Sequence, residues 1–253
     1  MRLLIPPGPA DLETEEARFH AYRTPRRDWV RANFIASIDG SAAIDGRAGG
    51  LGSPVDQQIL AILRAHAEVV LVGAATVREE KYGPLRHTPT REALRRELGF
   101  TDPARLAVVT AHPTFTGDER WIAEAPIPPL ILTTDSAARD VPGAEVIACG
   151  EGEAGWIEPR RIITALTDRG LRAILCEGGP HVMGELTGAA LVDELCLTLS
   201  PVLAGPGTPR IVAGPPWSQR RVSRLTQLLE ADGLLFARYA FEGVLDEPVG
   251  EQA

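Results

Sequence analysis

Ile174-Leu175-Cys176-Glu177-Gly178-Gly179-Pro180-His181 passes from an apolar run to a carboxylate, two glycines and a proline. That order predicts a buried strand ending in a tight turn from which a helix starts. Glycines admit backbone N–H groups close to an anion, and a proline at the first helical position gives up only an N–H that has no helical partner there. The helix start behind it carries about half a positive charge. Gly178, Gly179, Pro180, His181 and Val182 are therefore a candidate phosphate cradle, with Glu177 at its mouth. Gly-Gly-Pro by itself also fits an ordinary tight turn. A carboxylate at the end of a central strand is costly unless it meets a ligand or solvent, which makes Glu177 the strongest acidic candidate.

Outward from this junction, strands and helices alternate, as in a largely parallel sheet. Residues 30–36, 69–73, 106–110, 130–134, 145–148 and 173–176 read as strands, and 54–67, 74–80, 159–169 and 180–188 as helices. Ser53-Pro54 provides the cap and first position of the first of these helices. A proline-rich start precedes them, with a short polar helix over 11–22, and the polar stretch 84–102 reads as a short helix or a mobile loop. Beyond Asp193, residues 194–203, 226–229 and 234–241 read as antiparallel strands, the last two joined through Ala231-Asp232-Gly233. The expected fold class is α/β, a mixed and mostly parallel sheet with helices on both faces and a C-terminal antiparallel hairpin. Residues 1–28 are expected to form an N-terminal extension, 29–243 one domain and 244–253 a disordered tail.

A chain of 253 residues, 44% hydrophobic and 24% charged, suffices for one large core. Its net charge of −8 opposes nucleic acid as a partner, while local arginines leave room for a small anionic ligand. Cys149, Cys176 and Cys196 lie far apart beside apolar runs, so they suggest neither a disulfide framework nor a metal cluster but buried thiols in a reducing cytoplasm. Pro6-Pro7-Gly8-Pro9 cuts the first apolar run below signal-peptide length, and no run approaches the ~20 residues that cross a bilayer. A cytoplasmic protein without membrane partners is expected. Gly150-Glu151-Gly152-Glu153-Ala154-Gly155 matches a dinucleotide fingerprint in letters, but its glutamates would face a pyrophosphate and Trp156-Ile157-Glu158-Pro159 delays the next helix. It reads as a solvent loop.

Four separated segments agree with the opening junction. They are Asn33-Phe34-Ile35-Ala36-Ser37-Ile38-Asp39-Gly40, Gly52-Ser53-Pro54 leading to Leu63-Arg64, Val70-Leu71-Val72-Gly73-Ala74-Ala75-Thr76-Val77, and Glu177-Gly178-Gly179-Pro180 with Leu191-Val192-Asp193-Glu194. In this order and spacing, over roughly residues 30 to 242, the chain resembles the reductase domain of riboflavin biosynthesis. The resemblance implies a dihydrofolate-reductase-like fold, a homodimer, and NADPH-dependent reduction of 5-amino-6-(5-phosphoribosylamino)uracil, ribosyl to ribityl.

Carried over residue by residue, the resemblance puts Ser37 and Asp39 at the nicotinamide end, although Asp-Gly is also a plain turn. It makes Arg64 a substrate cation, plausibly for phosphate, where a helix-end arginine could otherwise merely snorkel or pair with the dipole. Gly73 and Thr76 fall at the dinucleotide, Arg86 at the substrate as its second cation, and Glu80 at the cofactor as a catalytic candidate, while Glu177 also binds substrate. Lys81-Tyr82-Gly83 intervenes before Pro84 where the family has an acidic pair followed directly by proline, and Gly50 stands where some members stack a tryptophan on the cofactor. Thr133 and Thr134 are candidates for the 2′-phosphate, with strand-end capping as an equal reading. Glu80 and Glu177 are the catalytic candidates. No metal is required, and the His-x-Glu and Pro-Cys-x-x-Cys signature of the deaminase often fused to this reductase is absent, so a stand-alone reductase is expected. Reduction of a pterin, a folate or another small substrate, or nucleotide binding without turnover, are the alternatives.

Overall fold

The computed structural model describes residues 1–6, 12–150 and 157–241. Ten strands form one sheet: β1 (Arg2–Ile5), β2 (Trp29–Ser37), β3 (Val69–Gly73), β4 (Arg105–Val109), β5 (Leu130–Thr133), β6 (Glu145–Ala148), β7 (Ala173–Cys176), β8 (Glu194–Ser200), β9 (Ser223–Ala231) and β10 (Leu234–Phe241). Their spatial order is β1-β9-β10-β8-β2-β7-β3-β4-β5-β6. From β8 to β6 all neighbours are parallel, and from β8 back to β1 all are antiparallel. The central strands β3 and β7 are buried at every residue, which is why they read as unbroken apolar runs.

Helices α1 (Glu15–Ala21), α2 (Pro54–Ala65), α3 (Ala74–Glu79), α4 (Pro89–Glu97) and α5 (Arg120–Ala123) cover one face, and α6 (Pro159–Thr167) and α7 (Pro180–Gly188) the other. Two cores result. Val70 and Val72 of β3 point to the first, Val69 and Leu71 to the second, each fully buried and worth roughly 1.5–3 kcal/mol of transfer free energy. Ser53 caps α2 by accepting from the Asp56 N–H at 3.2 Å, with Pro54 in the first turn, and Thr88 caps α4 in the same way. The stretch 84–102 is therefore organised around a helix with its own cap.

Several expectations change in detail. Segment 194–203 is antiparallel on one side only: β8 pairs parallel with β2 and antiparallel with β10, so it joins the two halves of the sheet. Residues 2–5, read as part of an extension, form edge strand β1 against β9, and α1 packs on the first core through Phe19. The short helix α5 was not anticipated, because four residues carry no readable period. The tail after 245 and the glycine-glutamate stretch lie outside the described residues, apart from Gly150, whose N–H donates to Asp135 at 2.8 Å.

Candidate active site

Parallel strands present their C-terminal ends to one side, and there a cleft of about 1050 Å³ opens. Its walls come from the ends of β2, β3, β4 and β7, one face of α2, the starts of α3 and α7, the loop after α3, and the segment around Pro209 and Ala213. That last segment is tied to both walls, since the Ala42 N–H donates to the Pro209 carbonyl at 2.7 Å and the Ala213 N–H to the Pro180 carbonyl at 3.0 Å.

On one side lies the glycine junction. The Gly73 N–H donates to the Gly178 carbonyl at 2.7 Å, so β3 and the turn after β7 run together into α3 and α7. Gly178 has φ of +97° and lies under Phe34, a backbone state that favours glycine. A Cβ on Gly179 would stand 2.7 Å from Thr76 Oγ1, and one on Gly73 would stand 3.3 Å from Val182 Cγ2. Neither Gly73 nor Gly179 caps its helix with a side chain. The first-turn N–H groups of His181 and Val182 have no helical acceptor, and both residues line the cleft.

On the other side, Arg64 and Glu177 form a bidentate pair: Nε donates to Oε1 at 2.7 Å and Nη2 to Oε2 at 2.6 Å. Tyr82 donates its hydroxyl to the same Oε2 at 2.5 Å, with its ring 5.4 Å from the Arg64 guanidinium carbon. The Glu177 side chain is 4% exposed and that of Arg64 27%. Burial alone would lower the pKa of Arg64, but the adjacent Glu177 carboxylate outweighs it and the guanidinium is held charged. Burial, reinforced by Glu177, pushes the Tyr82 phenol well above its ordinary value.

Two more carboxylates line the cleft nearby. Glu80 accepts from the Ala48 N–H at 2.8 Å and so holds the 3₁₀ turn Ala48–Gly50 against the loop after α3. Asp56, in the first turn of α2, is pushed upward by burial, partly opposed by a hydrogen bond from Thr198. Among the described residues, no cluster of three or more His, Cys, Asp or Glu is placed to hold a metal ion, and no helix is long and apolar enough to cross a membrane.

Of the residues singled out in the sequence, Arg64, Gly73, Thr76, Glu80, Glu177, Gly179, Pro180, His181 and Val182 line this one cleft, and Gly178 forms the turn beneath it. The others do not. Ser37 and Asp39 are spent on loop closure: Ser37 hydrogen-bonds Asp39, which also accepts from Ala204 at 3.2 Å and Gly205 at 2.8 Å. Gly50 packs on Ile44. Arg86 is exposed and donates to the Glu124 carbonyl at 3.0 Å. Thr133 and Thr134 are buried at the end of β5, where β4 stands between them and β3. Tyr82 and Asp56 were missed. Lys81-Tyr82-Gly83 reads as an interruption, and an acid in the first turn of a capped helix carries no signal of a site.

A mixed sheet with a glycine-lined helix start at one side of its cleft and an arginine–carboxylate pair at the other describes an α/β protein with a polar cleft at its parallel strand ends. The sequence matches the RibD C-terminal domain family over residues 28–232, and the chain belongs to that family. It is 24% identical over 216 residues to the 2,5-diamino-6-ribosylamino-4(3H)-pyrimidinone 5′-phosphate reductase of Archaeoglobus fulgidus, covering 81% of this chain and 95% of that protein. It is 25% identical over 182 residues to the riboflavin biosynthesis protein RibD of Escherichia coli, covering 70% of this chain but only 49% of that one, so the chain spans about half of RibD. A crystal structure of a pyrimidine reductase-like protein from Corynebacterium diphtheriae superposes with a TM-score of 0.74 at 26% identity, over 91% of this chain and 99% of the other. The architecture is mixed and mostly parallel, with an antiparallel hairpin at its end, and is shared with that reductase-like structure.

Proposed function

We propose that the chain is an NADPH-dependent reductase of 5-amino-6-(5-phosphoribosylamino)uracil, reducing its ribosyl group to ribityl. The observation that carries this reading is the Arg64–Glu177 pair facing the uncapped glycine junction across one cleft. The junction fits a dinucleotide: close backbone approach at Gly73 and Gly179, the Thr76 hydroxyl beside them, and free N–H groups at His181 and Val182 suit a pyrophosphate. When bound there, NADPH supplies the hydride.

The protein's own part is to bind and orient. Glu177 accepts N–H or O–H groups of the substrate, and Arg64, whose Nη1 is not engaged by Glu177, donates to a substrate oxygen. The segment through Pro209 and Ala213 forms one wall of the cleft and helps hold the bound molecules in place. Arg86 has no part in this, since it lies off the cleft. The A. fulgidus relative is named for a diaminopyrimidinone and supports the same reaction type on a ring of the same class.

The test mixes purified protein with NADPH and the phosphoribosylaminouracil and follows the near-ultraviolet absorbance of reduced nicotinamide. Loss of absorbance with matching formation of the ribityl product is expected. Oxidation with dihydropterin or dihydrofolate alone, or tight NADPH binding without oxidation in any mixture, overturns the reading.

The same proposal includes a homodimer working in the reducing cytoplasm, where Cys149, Cys176 and Cys196 stay free and buried. On one face of the antiparallel half, Leu195, Leu197 and Leu199 of β8 and Leu235 and Tyr239 of β10 remain half-exposed in the single chain, while the alternate residues of β8 are buried. Pairing such faces removes apolar surface from water. Light scattering at micromolar concentration should give twice the chain mass, and a monomer would refute this part.

A further inference from the structure

We propose that Tyr82 is a positioning residue that fixes the Glu177 carboxylate from its Oε2 side, so that a neutral N–H or O–H donor of the substrate is received at Oε1. The inference rests on the reductase reading of the cleft. Tyr82 reaches the site by a local device. Lys81 turns the chain with φ of +52°, the Tyr82 N–H donates to the Val77 carbonyl at 3.0 Å to close α3, and the ring lies in the cleft wall over Arg64.

Each carboxylate oxygen offers about two lone-pair directions. Oε2 receives Arg64 Nη2 at 2.6 Å and the Tyr82 hydroxyl at 2.5 Å, which fills it. Among the described residues, Oε1 receives only Arg64 Nε at 2.7 Å, leaving one direction open on a side chain that lines the cleft. A carboxylate already matched by one guanidinium repels a phosphate and accepts a proton donor. The group recognised is thus a ring imide, an exocyclic amine or a ribose hydroxyl, addressed from a fixed direction. Without the phenol, Oε2 is half vacant and the Arg64 fork alone holds the carboxylate, on a terminal sp³–sp² torsion that is broad.

Tyr82→Phe, Glu177→Gln and the double variant are compared with the parent protein. If Tyr82 acts through Glu177, Tyr82→Phe should raise the substrate KM about tenfold, within the range of hydrogen bonds to charged groups, and leave kcat within about twofold. NADPH affinity should be unchanged and the melting temperature should fall by only a few degrees. The double variant should be no worse than Glu177→Gln, because the phenol then has no carboxylate to hold. An unchanged KM in folded Tyr82→Phe overturns the inference, and so does multiplication of the two single effects.

If the parent protein does not turn over the pyrimidine, the proposed function fails by itself and Tyr82 is read from an alkaline absorbance titration instead. The chain has three tyrosines. Glu177→Gln should move the Tyr82 titration to lower pH, although burial still holds it above its ordinary value, and the double variant should lack that titration. An unmoved Tyr82 titration in Glu177→Gln overturns the inference without any reference to turnover.

Discussion

Arg64 is where chemistry and stability meet in one side chain. It neutralises Glu177, whose side chain is only 4% exposed, and it presents its remaining donors to the cleft. Breaking a buried pair by removing one partner costs about 3–5 kcal/mol, and losing a charge-assisted substrate contact costs a further ten- to hundredfold in kcat/KM. Arg64→Ala should therefore lower both the melting temperature and the specificity constant while NADPH affinity hardly moves. Arg64→Lys should recover more stability than turnover, because an ammonium cannot form the two-point fork. Calorimetry and steady-state kinetics on the same samples check this, and a parallel fall of NADPH binding with turnover would contradict it. The sequence marked Arg64 and Glu177 separately, one by its place near a helix end and one by its place at a strand end. It could not mark the pair, because 113 residues separate them and only the β3–β7 pairing brings them together. Tyr82 was illegible for a different reason: its direction depends on one left-handed residue, Lys81.

Helix α7 and the turn before it show how closely an element can be fixed by its neighbours. Any side chain on Gly179 meets Thr76 Oγ1 with its Cβ alone, so even alanine must turn the Thr76 hydroxyl aside or shift the start of α3. Gly179→Ala should weaken NADPH binding at least about tenfold and also cost stability, typical overpacking being worth about 1–3 kcal/mol. Fluorescence titration with NADPH measures the first and thermal unfolding the second, and unchanged affinity in a folded variant would remove the junction from the cofactor site. Farther along the helix, a Cβ on Gly184 would coincide with the Ala213 carbonyl, and Trp217 Nε1 donates to the Gly184 carbonyl at 3.1 Å, so the segment beyond β8 is seated on α7.

The Asp39 turn is an element-scale clamp as well. The Ser37 hydroxyl and then the Gly205 and Ala204 N–H groups hold the Asp39 carboxyl down at about 2. A carboxylate depressed in the folded state contributes stability above its ordinary value and loses it as pH falls from 3.8 towards about 2. Amide protection at Ala204 and Gly205 should drop over that window in the wild type and be low and flat throughout in Asp39→Asn. Ser-Ile-Asp-Gly was visible as a turn in the sequence, but its partners stand 165 and 166 residues further on.

Over the whole molecule, the parallel half could be read strand by strand, because burial on both faces leaves continuous apolar runs. The antiparallel half was legible as strands but not in its connections: an alternating strand such as β8 does not say that one neighbour will be parallel. Edge strand β1, four residues beside prolines, has too short a pattern to be recognised at all. The two halves are joined where β2, β8 and β10 lie side by side, and a buried charge trio sits there. Glu194, 2% exposed, accepts from Arg31 and, at 2.9 and 2.6 Å, from Arg238, while Arg31 also donates to the Tyr22 carbonyl at 2.8 Å. Glu194→Ala should leave two guanidinium groups buried beside each other and unfold the domain well below the parent's melting temperature, whereas a volume-matched apolar replacement of all three should be neutral or stabilising.

That asymmetry has an evolutionary consequence. Loss of Glu194 leaves two unmatched guanidinium groups, whereas loss of either arginine leaves the other paired with the carboxylate, so descendants can leave this arrangement in one order only, an arginine before the glutamate. The seam between the halves is thus epistatic: what Glu194 can become depends on whether both arginines are still there.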